Sequence, residues 1–176
     1  MTDKIFDAFL RRQYEQGTAL ARDSDLLELI ALDGPPPQHY VAHFRCKGLV
    51  RTDAGDIVGA ERFELGIWFP DDYLCEADPL RVLTWFGPRR VFHPNISDRT
   101  PVICVGRLAP GTSLVDILYQ CFEIITYNKV TMCEDDALNK EACVWARRNQ
   151  HRFPIDPRPL KRRAFDVSVE NIEVGK

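Results

Sequence analysis

No two of the six cysteines, at 46, 75, 104, 121, 133 and 143, form a C-x-x-C pair, and no short spacing recurs among them. That excludes an obvious zinc knuckle or disulfide framework, so no metal site is expected. A reduced cysteine is by default a small buried hydrophobe. The sequence also lacks any apolar run near the ~18 to 20 residues needed to span a bilayer. Its start, "MTDKIFDAFLRRQYEQ", is charged and amphipathic, without the apolar stretch of a signal peptide. The expectation is a cytoplasmic protein with no membrane partner. Positive charge is not in excess either. Lys plus Arg number 23 against 26 Asp plus Glu, a net charge of −3, which gives no reason to expect nucleic acid.

What is present is an ordinary globular balance, 45% hydrophobic and 28% charged over 176 residues, enough for one core. Helical spacing of Ile5, Phe6, Phe9, Leu10 and Tyr14 predicts an amphipathic helix from Lys4 to about Ala21. "LLELIAL", "HYVAHFRCKGLVR", "ERFELGIWF" and "LRVLTWF" read as four strands of a meander, with "DAGDIVG" a loop or hairpin and "PDDYLCEADP" a long turn. Gly87 to Pro110 holds four prolines and no periodicity, the mark of a functional loop or a misread element. Helices return over "TSLVDILYQCFEIITYN", capped by Thr112 or Ser113 with Cys121 in the core, and over roughly Asp136 to Arg152, with Leu138, Ala142, Trp145 and Ala146 inward. Strands followed by helices give an α+β class: an N-terminal helix, a four-stranded antiparallel sheet, a long loop, then C-terminal helices. The domain reading is residues 1–153 plus an extension, 154–176, that opens with prolines and a basic cluster.

Four short motifs follow one another: Phe69-Pro70-x-x-Tyr73, His93-Pro94-Asn95-Ile96, Ile103-Cys104 and Asp135-Asp136-x-Leu138-Asn139. In order and spacing they resemble the ubiquitin-conjugating enzymes, over roughly residues 3 to 153. The resemblance implies the fold of that family and a thioester carrier. Cys104 would accept the carboxyl terminus of a ubiquitin-like protein from an activating enzyme. Asn95 would hold the loop and the oxyanion, and Asp136 would orient or deprotonate the incoming amine. His93, Pro94 and Tyr73 would be structural at the site. No cofactor is implied, because ATP is used by the activating enzyme.

The chemistry fits those residue types. A carrier needs a sulfur on an irregular, reachable segment, and Cys104 lies in the longest loop. An uncharged amide stabilises the oxyanion of acyl transfer without an ion pair, and a carboxylate assists loss of the amine proton. A thiol needs no strong base, being a few per cent thiolate near neutrality. The plainer roles stay open: Asn95 as a turn former, Asp136 or Asp135 as a helix cap, His93 as a hydrogen-bonding anchor.

The departures narrow the resemblance. The span from Asn95 to Cys104 is one residue longer than usual in the family, with the extra residue in "SDRTP", which puts the oxyanion role of Asn95 in question. Gly106 stands where many relatives have aspartate, and "LAP", Leu108 to Pro110, replaces tryptophan-x-proline. "YLC", Tyr73 to Cys75, lacks the phenylalanine offered to RING-type ligases, so none is expected as a partner. These features resemble divergent prokaryotic members encoded in anti-phage operons of the CBASS type, some beside a cGAS-like nucleotidyltransferase whose carboxyl terminus would then be a partner. The rivals are a binding protein of the same fold without chemistry, a cysteine hydrolase pairing Cys104 with His93, and a protein that traps its target as a lasting adduct.

Overall fold

The computed structural model describes residues 4–162; residues 1–3 and 163–176, the latter the greater part of the expected extension, lie outside the described residues. Helix α1 spans Lys4–Arg22, followed by β1 (Leu27–Ala31), β2 (His39–Phe44), β3 (Gly48–Arg51), β4 (Ile57–Ala60) and β5 (Phe63–Trp68). A helical turn α2 (Pro79–Val82) leads into β6 (Leu83–Gly87), and α3 (Leu114–Ile125), α4 (Lys140–Arg148) and a short 3-10 turn (Gln150–Arg152) complete the order. Strands β1, β2, β5 and β6 form the expected four-stranded antiparallel sheet, in that order. No helix among the described residues is long and apolar enough to cross a membrane.

Alternation along the strands turns Tyr40, Ala42, Phe44, Leu65, Ile67 and Trp85 toward the core, where α3 lays down Leu114, Ile117, Leu118 and Cys121. Each such large apolar side chain contributes about 1.5 to 3 kcal/mol on burial. Helix α1 packs on α3 and β1, but through Phe6, Leu10, Gln13, Gly17 and Leu20. Ile5 and Tyr14, expected on its apolar face, are exposed. The inward stripe is set by two features. Gln13 is buried because its Oε1 accepts the first amide of α3, Leu114 N, at 2.8 Å. A Cβ on Gly17 would stand 2.7 Å from Leu114 Cδ2 and 2.9 Å from Leu29 Cδ2, so a larger residue would have to displace those leucine side chains.

Three further expectations are corrected. The long second strand is two: β2 ends at Phe44, Arg45 N donates to Leu26 O, and β3 turns into a separate two-stranded sheet with β4. Gly48 opens β3 where a Cβ would meet the Phe63 ring at 2.4 Å, so the close crossing decides the break. The start of "LRVLTWF" is helical, because Asp78 accepts Leu80 N at 2.9 Å and caps a turn. Helix α4 begins four residues later than Asp136: Asn139, whose Oδ1 accepts Ala142 N at 2.9 Å, is the cap. Leu138 therefore lies before the helix and is exposed, while Cys143 joins Ala142 and Ala146 inside.

A second, smaller cluster places the site. Leu49 of β3, Phe92, Tyr127 and Ala142 pack together, with Trp145 and Phe153 against them. Tyr127 adopts φ +61° after α3, and its hydroxyl donates to Phe92 O. Residues 154–162 return along the domain. Asp156 is buried, accepts Lys47 N at 3.0 Å and pairs with Arg158, Leu160 is buried, and Arg162 N donates to Asp23 O at 2.8 Å.

Candidate active site

The stretch from Asn95 to Cys104 closes on itself as a small hairpin. Cys104 N donates to Asn95 O at 2.7 Å, Ile96 bridges Ile103, and Ser97 N donates to Val102 O at 2.9 Å. Ile96 and Ile103 point into the core, which fixes the hairpin by burial as well as by hydrogen bonds. The stretch "SDRTP" forms the tip. There Ser97 Oγ accepts Arg99 N, Thr100 N and Thr100 Oγ1 at 3.2, 3.0 and 2.8 Å. The hairpin therefore holds Asn95 directly opposite Cys104.

Asn95 is buried and uses both ends of its amide. Its Nδ2 donates to Cys104 O at 3.2 Å and its Oδ1 accepts Thr131 N at 2.8 Å. One Nδ2 hydrogen thus holds the cysteine's own carbonyl. Cys104 is half-buried, and the following residue, Val105, is buried. The main chain at the cysteine is clamped while the chain beyond it emerges at exposed Gly106, whose φ of +92° is a left-handed conformation that favours glycine. Lys129, two residues before Thr131, donates from Nζ to Val105 O at 2.7 Å.

His93 is buried, its Nδ1 accepts Asn95 N at 3.0 Å, and its ring stands edge-on to Tyr127 at 4.3 Å. Loss of hydration pushes its pKa down to about 3, so the imidazole is neutral and the nitrogen with the usable lone pair is already engaged. Among the described residues Nε2 has no partner. This arrangement gives a hydrolase pairing of Cys104 with His93 no available base. Pro94 O accepts Leu138 N at 2.9 Å and Asn139 N at 3.2 Å.

Asp136 therefore sits on an arch tied at both ends to the same turn, at Thr131 through Asn95 and at Leu138 through Pro94. Asp135 and Asp136 are exposed on it, and Glu134 pairs with Arg147 of α4. Cys143 Sγ lies 3.4 Å from Thr131 O, bracing the arch from below. Tyr73 has other partners. It packs on Phe69 at 4.8 Å and donates its hydroxyl to Thr112 O at 2.8 Å, and burial lifts its pKa to about 12, so it steadies the entry to α3. Of the residues singled out in the sequence, the structure thus joins Cys104, Asn95 and His93 through hydrogen bonds, and Pro94 O brings the segment of Asp136 to their turn. Sequence reasoning missed Thr131 and Lys129. A backbone amide carries no residue signal, and a lone lysine in "NKVT" has none either.

No family model matches this chain, and no curated protein does. Among solved structures it is similar to the human ubiquitin-conjugating enzyme E2 G1, at 17% identity over 68% of this chain and 93% of that one, with a TM-score of 0.47.

Proposed function

We propose that this protein is a ubiquitin-conjugating-like acyl carrier that holds the carboxyl terminus of a ubiquitin-like protein, or of a target protein, as a thioester on Cys104. The observation that carries the reading is the Asn95–Cys104 pairing: a fixed main chain around a half-buried thiol at the mouth of an irregular loop. In the loading step the Cys104 thiolate attacks the thioester carbonyl on an activating enzyme, whose thiolate departs. In the transfer step an amine attacks the Cys104 thioester, the carbon–sulfur bond breaks, Cys104 leaves as thiolate, and the amine proton passes to Asp136 or to water. The second Nδ2 hydrogen of Asn95 is the donor for the oxyanion formed in both steps. The motif departures support a narrower form of the proposal, a cytoplasmic bacterial protein of anti-phage defence that modifies a cGAS-like nucleotidyltransferase.

Intact mass of the wild type and Cys104→Ser, after incubation with ATP and the activating enzyme and modifier encoded nearby, tests this reading. The expected result is a wild-type adduct released by a thiol reductant and a reductant-resistant ester on the serine variant. No adduct on either protein, with the activating enzyme shown to be charged, overturns it in favour of a binding-only protein.

A further inference from the structure

The stretch after α3 touches the cysteine loop twice, from residues two apart in sequence. Thr131 N reaches it through Asn95 Oδ1, and Lys129 Nζ reaches it directly at Val105 O. Asn95 takes both main-chain groups of Cys104, the N–H and the carbonyl, on the upstream side. Downstream, the next carbonyl along the chain, Val105 O, is held by the Lys129 ammonium alone among the described residues. We propose that Lys129 is a positioning residue for Cys104: it fixes the Val105–Gly106 peptide and so the direction in which the sulfur is presented.

Three observations support this. The bond is short and charge-assisted, the stronger kind, and it spans 24 residues of sequence, so it is not a local turn contact. Gly106 is left-handed at φ +92°, and a Cβ there would have Lys129 Nζ at 3.8 Å as its single close neighbour. No Cβ at Gly106 restricts its side of the Val105–Gly106 peptide, so the Lys129 bond contributes to fixing that peptide's orientation. Finally, Lys129 makes no ion pair among the described residues, which leaves its charge directed at this loop. The Lys129 backbone amide donates to Glu123 O at 3.0 Å, which seats the residue at the end of α3, while its ammonium pairs with neither the Glu123 nor the Asp116 carboxylate.

The proposal rests on the carrier reading only for its catalytic consequence, and one arm of its test does not need that reading. In a Cys75→Ser, Cys133→Ser background the other three cysteines besides Cys104 are buried, so iodoacetamide labelling followed by intact mass reports Cys104. Labelling of Lys129→Met is expected to slow by about tenfold, in line with the sensitivity of such reactions to small misplacements, and Lys129→Arg is expected to recover most of the rate. In the carrier assay, Lys129→Met should load at an unchanged half-saturating modifier concentration and discharge about tenfold more slowly to free lysine. Thermal unfolding should stay cooperative in both variants, with Lys129→Met melting below the wild type because Val105 O loses its donor and Lys129→Arg close to it. Equal labelling rates in wild type and Lys129→Met overturn the proposal whatever the carrier assay shows. So does an arginine variant as slow as the methionine variant, which marks a merely structural lysine. A wild type that never loads, with labelling still sensitive to Lys129, sinks the carrier reading and leaves this one standing.

Discussion

Asn95 and Cys104 exchange two hydrogen bonds across nine residues: Cys104 N donates to Asn95 O, and Asn95 Nδ2 returns one to Cys104 O. A third, from Thr131 N to Asn95 Oδ1, ties the pair to the arch that carries Asp136. Removing this one side chain therefore leaves two part-buried backbone groups, Cys104 O and Thr131 N, without these partners. Asn95→Ala should cost about 1 to 3 kcal/mol of stability and also abolish efficient transfer. Urea unfolding and discharge rates check it together, and a variant of wild-type stability would sink the bonding scheme.

On the carrier reading proposed above, Asp136 and Asn139 separate chemistry from folding. Asn139 caps α4 and Asp136 does not, so Asn139→Ala should lower stability by about 1 kcal/mol while Asp136→Ala leaves it within about 0.5 kcal/mol. The expected activities run the other way, with Asp136→Ala slowing aminolysis but not loading. Thermal melts and single-turnover discharge measure the two; a stability loss in Asp136→Ala contradicts the capping assignment.

The buried His93 makes stability depend on pH. Folded, it stays neutral down to about pH 3, whereas in the unfolded chain it takes a proton near 6.5. The unfolded state thus binds the proton first, and stability is full above about pH 6.5 and falls as pH drops toward 3. His93→Gln should show a shallower decline between pH 6.5 and 4, read from urea midpoints at several pH values. Parallel curves for the two proteins would show that His93 is not the titrating group.

Asp156 anchors the returning segment. Arg158, bonded to both of its oxygens, with help from the amides of Arg158 and Lys47, holds its pKa down to about 2 against the cost of burial. Its contribution is present above the unfolded value near 4 and is lost as pH falls toward 2. Asp156→Ala should cost about 1 to 3 kcal/mol at neutral pH, because Lys47 N loses its acceptor, and should expose residues 154–162 to protease. Unchanged protection of that segment would count against the anchor.

The sequence by itself determined the parts whose physics is local. Period-two and period-3.6 patterns placed α1, the four main strands and α3, and Ser113, whose Oγ accepts Asp116 N, stops the chain where a capping residue was expected. The density of prolines from Gly87 to Pro110 marked the loop, and the His-Pro-Asn turn with the cysteine after it marked the candidate site. Tertiary structure alone decided the rest. Gly48 against Phe63 split one apolar run into two sheets, a contact between distant strands that no local pattern encodes. Gln13 went inward because an amide 101 residues away needed an acceptor. At the site, side chains named in the sequence became an arrangement only when Thr131, Lys129, Leu138 and Asn139 closed on the loop with backbone amides, a backbone carbonyl and one ammonium. Those groups carry no residue-type signal, so their pairing is visible only once the chain has folded.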